Sequence, residues 1–542
     1  MIKTKFKISA TAFCLCIAVF TNKTMAQDVT WKKHFGGSSD DGYKSVIAVS
    51  DGIIAVGFST QDCFGSDDWA GITGKGGKDA IIVKYNNNGE VVWKKNFGGS
   101  GDDNFSSVTA VSDGIIAVGS SETFGDGDWT GVAGKGDDDA IIVKYDNNGN
   151  VVWKKNFGGN APEWYYSVTK VSDGIVAVGM ANMGCFGNGD WTGITGKGVL
   201  DAIIVKYDNS GEVVWKKNFG GSDQDKYNSV TAVSDGIIAV GYCSFGSFSN
   251  GDWAGAGTTQ KGLYDAVIVK YDNNGNIVWK KSFGGSGYDG YQSVTAASDG
   301  IVAVGFAQAK SFGNGDLTGM AGKGGDDAIA VKYDNNGNIV WKKNFGGGGN
   351  DYFYFVTTVS DGIITVGNSP ALGYGDWTGM TGKGGEDAIM VKINNSGDVV
   401  WKKNFGGSGD DYFYSATTVS DGIIVVGSSK SASFNNGDWA GITGKGDNDA
   451  IIVKYGQGND GIVDMRDVAS LQIYPNPSSD KFVVEFDRIV SIKLYDMLGK
   501  EVLTQTADGK TEINISHLPK GIYNVSVLSE GKIIGNGKIV KE

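Results

Sequence analysis

Short hydrophobic and polar runs alternate along this chain, and the same order of runs recurs seven times. In the second copy, β-type runs at 107–112, 115–119, 140–145 and 151–157 are separated by polar, glycine-rich segments. Asp113-Gly114 joins the first two runs, and Asn147-Asn148-Gly149 joins the last two. Both are hairpin signals, because glycine reaches the positive φ of a tight turn. The pattern therefore predicts four antiparallel strands in each copy.

A tryptophan opens each copy and fixes the length of the repeat. Successive tryptophans are 62, 60, 62, 64, 62 and 60 residues apart, counted from Trp31, Trp93, Trp153, Trp215, Trp279, Trp341 and Trp401. Repeated units of four short strands are typical of β-propeller blades. A lone fourth run at 29–35 precedes the first copy, and the last copy ends at Tyr455 after three runs. We therefore expect a seven-bladed β-propeller closed by the N-terminal strand, with a row of small β-domains or a β-solenoid as the alternatives.

The composition changes at both ends of the repeats. Residues 1–26 have a basic start, an apolar stretch and a small-residue site at Thr24-Met25-Ala26, which indicates a secretory signal peptide. No later run is long and apolar enough to predict a transmembrane helix. After a propeller at 27–455 and a linker at 456–470, alternating runs within 471–542 predict a small Ig-like β-sandwich. Those runs are 482–486, 491–495, 512–515, 521–528 and 532–540. The fold class is all-β.

The charge excludes some classes of partner. The net charge is −13, and loss of the four lysines of residues 1–26 would make it −13 − 4 = −17. Such an acidic chain argues against binding to nucleic acid or anionic lipid. The only two arginines, Arg466 and Arg488, lie outside the repeats, and the two histidines are far apart. A histidine-based metal or catalytic centre and an arginine cluster for anions are therefore not expected.

Three cysteines remain after the signal segment, namely Cys63, Cys185 and Cys243. Cys185 and Cys243 fall in the long loops between the second and third runs of consecutive copies, so they are the favoured pair if a disulfide forms. The alternative is three small buried thiols without chemistry.

An aspartate recurs at the same place in every long loop, and clustered carboxylates in flexible loops are ligands that calcium prefers. The segment lacks the spacing of an EF-hand loop. The alternative is structural, with each aspartate forming Asx-turns and an ion pair to the lysine of the same blade. Recurrence in all copies favours the structural alternative, because a catalytic site needs a break in symmetry. The weak metal candidates are Asp68, Asp128, Asp190, Asp252, Asp316, Asp376 and Asp438, and calcium is the one cofactor considered.

Aromatic residues in the long loops are candidates for ligand binding. Trp129 and Trp191 belong to a loop series in which Leu317 replaces tryptophan once. An exposed ring of aromatics would suit stacking on sugars, whereas replacement by leucine favours packing between blades. The copies depart from their own pattern at Asn160–Trp164, Tyr242–Lys261 and Asn368–Tyr374, so a specific site is expected there. Glu163 and Trp164 are the further ligand-binding candidates.

The C-terminal residues resemble a known family. Tyr474-Pro-Asn-Pro477, Ile492–Lys500, Leu518–Tyr523 and Gly537–Lys541 are similar to the type A sorting domain of the type IX secretion system of Bacteroidota. The resemblance implies export across both membranes with the secretion machinery as partner, followed by removal of the domain and release or attachment at the outer surface. The matching residues of the sorting signal are Pro475, Asn476, Pro477, Gly499, Gly521 and Lys541. More loosely, the repeats resemble the glycine-rich, propeller-like cargo of such proteins.

These features favour a non-enzymatic binding or adhesion protein, secreted or at the cell surface, with a glycan or a protein as ligand. Two alternatives remain. One is a secreted polysaccharide-active hydrolase or lyase whose site lies among the symmetry-breaking loops, and the other is a purely structural surface component.

Overall fold

A computed structural model describes residues 28–254, 260–456, 477–485, 490–496, 500–507, 510–529 and 532–542. Seven four-stranded antiparallel sheets, here called blades 1 to 7, occupy the repeats, and a smaller β domain follows. The prediction of four strands per copy is confirmed. The signal peptide and nearly all of the linker lie outside the described residues.

Each blade contains its strands in sequence order. The first strands are Asp41–Val49, Asp103–Val111, Glu163–Val171, Asp225–Val233, Asp289–Ala297, Tyr352–Val359 and Asp411–Val419. The second strands are Gly52–Thr60, Gly114–Ser121, Gly174–Asn182, Gly236–Ser244, Gly300–Gln308, Gly362–Ser369 and Gly422–Lys430. The third strands are Lys78–Tyr85, Asp139–Tyr145, Leu200–Tyr207, Tyr264–Tyr271, Asp326–Tyr333, Asp387–Asn394 and Asn448–Gly456. The fourth strands are Val91–Phe97, Val151–Phe157, Val213–Phe219, Ile277–Phe283, Ile339–Phe345, Val399–Phe405 and, in blade 7, Val29–Phe35.

The first strands form the inside of the structure. Each contacts the first strands of two other blades, and the cycle of contacts returns from blade 7 to blade 1. The strand Val29–Phe35 pairs antiparallel with the third strand of blade 7, with His34 opposite Ile451. Seven blades around a common axis are the arrangement of a β-propeller.

Burial explains which residues form each strand. The second and third strands have neighbours on both faces, so they consist of nearly continuous aliphatic runs such as Ile115–Val118 and Ile141–Val143, all at most 1% exposed. The fourth strands are at the edge of each sheet, and most of their residues are exposed or half-buried up to a buried terminal phenylalanine such as Phe97. Their tryptophans are mostly half-buried at the seams between blades. Trp93 of blade 1, for example, packs against the turn glycine Gly149 of blade 2, whose φ is +79°.

A β-bulge interrupts every first strand at the third residue after its opening acid. In blade 2, the register shifts between Phe105 and Ser107, so Ser106 is the extra residue. A Cβ atom at the facing Gly119 would lie 1.9 Å from the carbonyl oxygen of Asn104, which is why only glycine fits there. The bulge residues are Lys44, Ser106, Tyr166, Asn228, Gln292, Tyr354 and Tyr414. Bulges bend a strand and redirect a side chain, so these positions differ from their neighbours.

The connections between strands are of two lengths. Tight turns join strand one to two and strand three to four, and long segments join two to three and each blade to the next. Antiparallel pairing therefore places all long segments on one face. Short 3₁₀ helices occur in them at Gln61–Cys63, Asp67–Trp69, Gly127–Trp129, Met183–Cys185, Gly189–Trp191, Phe245–Ser247, Gly251–Trp253, Ala309–Ser311, Gly315–Leu317, Gly375–Trp377, Ser431–Ser433 and Gly437–Trp439.

The C-terminal domain has two sheets around one core. Lys481–Glu485 pairs with Lys510–Asn514, and a four-stranded sheet contains Glu501–Ala507, Val490–Tyr495, Gly521–Ser529 and Lys532–Lys541 in that order. Phe482 of the first sheet and Ile492 of the second belong to the same buried cluster. The strand Glu501–Ala507 was not predicted, because its alternation is interrupted by threonine and glutamine.

Candidate functional site at the inner strands

The loop aspartates join adjacent blades. Asp190 of blade 3 accepts hydrogen bonds from the Lys135 ammonium of blade 2 at 2.6 Å and from the Gly158 amide at 2.9 Å. The expectation of an ion pair within one blade was wrong, because the lysine of each blade reaches the aspartate of the next. The seven pairs are Lys75–Asp128, Lys135–Asp190, Lys197–Asp252, Lys261–Asp316, Lys323–Asp376, Lys383–Asp438 and Lys445–Asp68.

The hydrogen bonds and ion pairs of the loop aspartates affect their suitability as calcium ligands. In each of the seven loop aspartates, an ammonium group and a backbone amide already occupy one carboxylate oxygen. Within the described parts of the chain, no group of three or more His, Cys, Asp or Glu side chains is arranged to hold a metal ion. The arrangement is that of a structural ion pair, and calcium binding stays a prediction that only a measurement tests.

The loop tryptophans lie in the core. Trp129 and Trp191 are 0% exposed, and Trp191 packs edge-on against Phe157 with ring centroids 5.0 Å apart. Leu317 is equally buried at the equivalent place in blade 5. A ligand cannot reach these rings in this structure, so of the two alternatives the residues fit packing between blades rather than sugar stacking.

Glu163 is also inaccessible. It opens the first strand of blade 3, where the other blades have a buried aspartate, and it is 0% exposed. One carboxylate oxygen accepts the amide hydrogen of Gly159 at 2.5 Å, and the other has no hydrogen-bond partner among the described residues. Burial raises the pKa of Glu163 to about 8. The replacement of aspartate by glutamate in blade 3 is therefore a change within the core, and Glu163 is not a free acid on the surface.

The remaining candidate, Trp164, belongs to a different set of residues, which lies at the beginning of the first strands. In the first strands, the opening acid and the third residue are buried, whereas the second residue and the bulge residue are partly exposed unless they are glycine. We call these two positions in all blades the inner ring. It comprises Gly42, Lys44, Asn104, Ser106, Trp164, Tyr166, Lys226, Asn228, Gly290, Gln292, Tyr352, Tyr354, Tyr412 and Tyr414. All lie near the long-loop face, because that face is where each first strand begins.

Aromatic rings are continuous along one arc of the inner ring. Phe306 of blade 5 lies 5.4 Å from Tyr352 of blade 6, measured between ring centroids. Tyr352 and Tyr354 are stacked at 6.0 Å, Tyr354 lies 5.4 Å from Tyr414, and Tyr412 is stacked on Tyr414 at 5.7 Å. Partial burial raises the pKa of these tyrosines above its usual value, so their hydroxyl groups stay neutral.

Two lysines of the inner ring face aromatic rings. The Lys44 ammonium lies 4.2 Å from the ring centroid of Tyr414, and the Lys226 ammonium lies 4.0 Å from that of Tyr166. Among the described residues, no carboxylate forms an ion pair with either lysine. Burial lowers the pKa of both, that of Lys226 to about 8, because no nearby acid offsets the loss of hydration.

Acidic groups lie beside the aromatic arc. Asp326 accepts a hydrogen bond from the Tyr352 hydroxyl at 2.7 Å, and Glu386 accepts one from the Asn368 amide. Desolvation raises the pKa of Glu386. The inner ring thus offers stacked rings and two ammonium groups, and two carboxylates lie beside it.

Sequence reasoning located this site only in part. Trp164, Tyr242 and Asn368, from the three expected departures, lie at the first or second strands near the inner ring, whereas Tyr374 is on an outer loop and 70% exposed. Residues 255–259 of the fourth-copy loop lie outside the described residues. Lys226 and the tyrosines of blades 6 and 7 were missed. The available signal was that the two positions of the inner ring vary most between copies, whereas the residues between and next to them hardly change.

The cysteines are free and buried. Cys185 ends the 3₁₀ helix Met183–Cys185, whereas Cys243 lies on the second strand of blade 4. The expectation that they occupy equivalent loop positions was wrong, and the alternative of three buried thiols fits the structure.

Three residues of the expected sorting signal are described. Pro477 is exposed, Gly521 begins a strand, and the Lys541 ammonium donates to the carbonyl oxygen of Ser479. Pro475, Asn476 and Gly499 lie outside the described residues.

Known proteins are similar to parts of this chain. The regulatory protein FlaEY of Caulobacter vibrioides is 25% identical over 233 residues, which are 42% of this chain and 23% of FlaEY, so the chain spans under a quarter of that relative. The WD40 β-propeller domain of Doa1 is similar with a TM-score of 0.40 and 10% identity, covering 79% of this chain and 97% of that domain. A europium-containing methanol dehydrogenase is similar with a TM-score of 0.36 and 11% identity, covering 79% and 93%.

In the described residues, no helix has the length and apolar character needed to cross a membrane. A family model described as the secretion system C-terminal sorting domain matches residues 472–542. The resemblance seen in the sequence is thereby confirmed. The chain therefore carries a secretion system C-terminal sorting domain and is an exported β-propeller protein, secreted or attached to the cell surface.

Proposed function

We propose that this protein binds a carbohydrate at the inner ring, on the long-loop face of the propeller. The observation that carries the proposal is the position, within the first strands, of the residues that differ between copies. The buried positions of the first strands are nearly the same in all blades, whereas the bulge position holds Lys, Ser, Tyr, Asn or Gln. A position that tolerates all of these is not required for folding, so its particular residues are available for binding.

The aromatic arc suits a sugar in particular. Tyrosine rings that are partly exposed and already fixed by stacking present apolar faces at little cost in side-chain entropy. Neighbouring hydroxyl and carboxylate groups, such as those of Tyr352 and Asp326, can hydrogen-bond to sugar hydroxyls. A flat protein partner would need a large contact surface, whereas these groups face inward around the axis.

We also propose how the chain is exported and how the propeller closes. The signal peptide at 1–26 would direct export across the inner membrane, and the domain at 471–542 would engage the type IX secretion machinery and be removed. Pairing of Val29–Phe35 with blade 7 would close the propeller. The C-terminal domain would have the Ig-like sandwich arrangement of sorting domains.

A polysaccharide-active enzyme is the second candidate. Asp326 and Glu386 flank Tyr352, and glycoside hydrolysis uses two carboxyl groups. Both carboxylates already accept hydrogen bonds from protein groups, which favours positioning of a ligand over proton transfer. A purely structural surface protein would need no inner ring of varied polar and aromatic residues.

A glycan array probed with the full chain tests the proposal. We expect binding to at least one glycan, reduced about tenfold or more in Tyr354→Ala, because a stacking tyrosine contributes on the order of 1 kcal/mol or more. Tyr374→Ala is the matched control, since Tyr374 is exposed on the same face but outside the inner ring. Absence of any glycan signal, or equal loss in both variants, would contradict the proposal. Release of reducing ends from a bound glycan would favour the enzyme instead.

A further inference from the structure

Two of the recurring sets of lysines in the repeats are neutralised by aspartates. The loop lysines pair with the next blade, and a second set pairs with the aspartate of the first hairpin in its own blade, as Lys144 does with Asp113 at 2.7 Å. The second set is Lys84–Asp51, Lys144–Asp113, Lys206–Asp173, Lys270–Asp235, Lys332–Asp299, Lys392–Asp361 and Lys454–Asp421. Lys226 belongs to neither set, because the equivalent residue in the other blades is never lysine.

Among the described residues, two tyrosine rings lie near the Lys226 ammonium, and no carboxylate forms an ion pair with it. Tyr166 lies below its ammonium at 4.0 Å, and the ring of Tyr242 lies at 5.9 Å. The preceding residue, Asp225, is buried on the other side of the strand, where it binds the Gly221 amide and the Ser247 hydroxyl. A partly buried ammonium that has lost hydration without gaining a counterion is favourably placed to bind an anionic group.

We infer that the ligand is an acidic polysaccharide, whose carboxylate or sulfate group binds the Lys226 ammonium while its sugar rings lie along the tyrosines of the inner ring. This inference rests on the proposed carbohydrate-binding function and adds the charge of the ligand. Lys44, which faces Tyr414 in the same way at the opposite side of the axis, offers a second ammonium for a neighbouring acidic sugar.

The net charge of the chain does not prevent this. Exposed charges more than about 8 Å away are largely screened at physiological ionic strength, whereas a contact within a partly buried site is screened much less. Asp326 and Glu386 lie at blades 5 and 6, and Lys226 lies in blade 4 next to Tyr166 of blade 3. Neither Lys226 nor Lys44, which is in blade 1, therefore shares a blade with these two carboxylates.

The test compares sugars that share a backbone and differ in charge. Homogalacturonan oligomers with free carboxylates are compared with the same oligomers as methyl esters, and sulfated galactan oligomers with unsulfated ones. Affinities of the full chain are measured by titration calorimetry at low and high salt. We expect one of the two acidic oligomers to bind at least about tenfold more tightly than its neutral counterpart, with a preference that falls as salt increases.

Lys226→Gln shows whether the preference depends on this residue, since glutamine keeps the polar stem without the charge. We expect it to remove most of the preference for the acidic form, whereas Lys170→Gln, an exposed lysine on the first strand of blade 3, should change affinity less than twofold. Equal binding of neutral and acidic oligomers would overturn the inference and leave carbohydrate binding intact. An acidic preference that survives in Lys226→Gln would also overturn it. Absence of binding to every sugar would overturn both proposals.

Discussion

The buried carboxyl group of Glu163 predicts an unusual dependence of stability on pH. Its pKa is raised by burial to about 8 from an ordinary value of 4.5. In the folded state the group therefore keeps its proton up to about pH 8, whereas in the unfolded state it loses the proton near pH 4.5. Since the folded state binds more protons, the free energy of unfolding falls as pH rises between these values. Stability from this group is fully present below about pH 4.5 and lost as pH passes 8.

The size of the effect follows from the same values. Between pH 5 and 8, one group that is protonated only in the folded state changes the free energy of unfolding by about 1.4 kcal/mol per pH unit. Glu163→Gln removes the titrating group and keeps the shape. The free carboxylate oxygen of Glu163 and an unpartnered oxygen of Asp139 both lie beside Gly158, so the new amide can donate to Asp139. We expect the variant to match the natural protein near pH 5 and to be more stable by on the order of 2 kcal/mol or more at pH 8.

Urea denaturation followed by tryptophan fluorescence at pH 5, 6, 7 and 8 measures this difference. Glu212→Gln is the matched control, because Glu212 is an exposed turn residue that pairs with Lys155, and its substitution should leave the pH profile almost parallel to that of the natural protein. Parallel profiles for Glu163→Gln and the natural protein would refute the reasoning, since they would show that Glu163 is ionised in the folded state throughout.

Three further predictions concern the propeller. Trp191→Ala should destabilise the fold by at least about 1 kcal/mol more than Trp191→Leu, because leucine already fills the equivalent site at Leu317. Both losses are measured as shifts in the urea midpoint. Lys135→Met should cost no more than about 1 kcal/mol in the same assay, since its ion pair is partly exposed; a larger loss would show that the inter-blade pairs dominate stability. A chain beginning at Gly36 should melt at a lower temperature and be cleaved faster by protease than one beginning at Gln27, because it leaves an edge of blade 7 unpaired; equal behaviour would show that the first strand is dispensable.

The strands and hairpins could be predicted because each is determined by a few consecutive residues. In the Asp-Gly and Asn-Gly turns, for example, the backbone requirement and the residue that satisfies it lie together, and Gly149 has the expected positive φ. The burial of the loop tryptophans was also foreshadowed, since Leu317 can replace tryptophan in packing but not in stacking on a sugar.

Contacts between blades were harder to predict. Lys135 and Asp128 are near each other in sequence, so an ion pair within the blade was the natural expectation. The structure instead brings Lys135 to Asp190, 55 residues away, because the long loops of adjacent blades lie side by side. The bulges were missed for a related reason, since a register shift depends on the partner strand and leaves no mark in the alternation of a single strand.

The division between identical and variable residues supports the placement of function at the inner ring. A propeller built from nearly identical blades uses the same residues seven times to join each blade to the next, as the lysine–aspartate pairs show. Any residue that recurs in all blades is therefore explained by assembly alone, and binding of one ligand requires residues that do not recur. The first strands supply them at the bulges, where a side chain is released from the sheet pairing and can change without disturbing its neighbours. Tyr354 occupies such a bulge, and Lys226 occupies the other partly exposed position of the first strand, two residues before the bulge of its blade. Because the first strands of adjacent blades contact each other, a single ligand there can contact several blades at once.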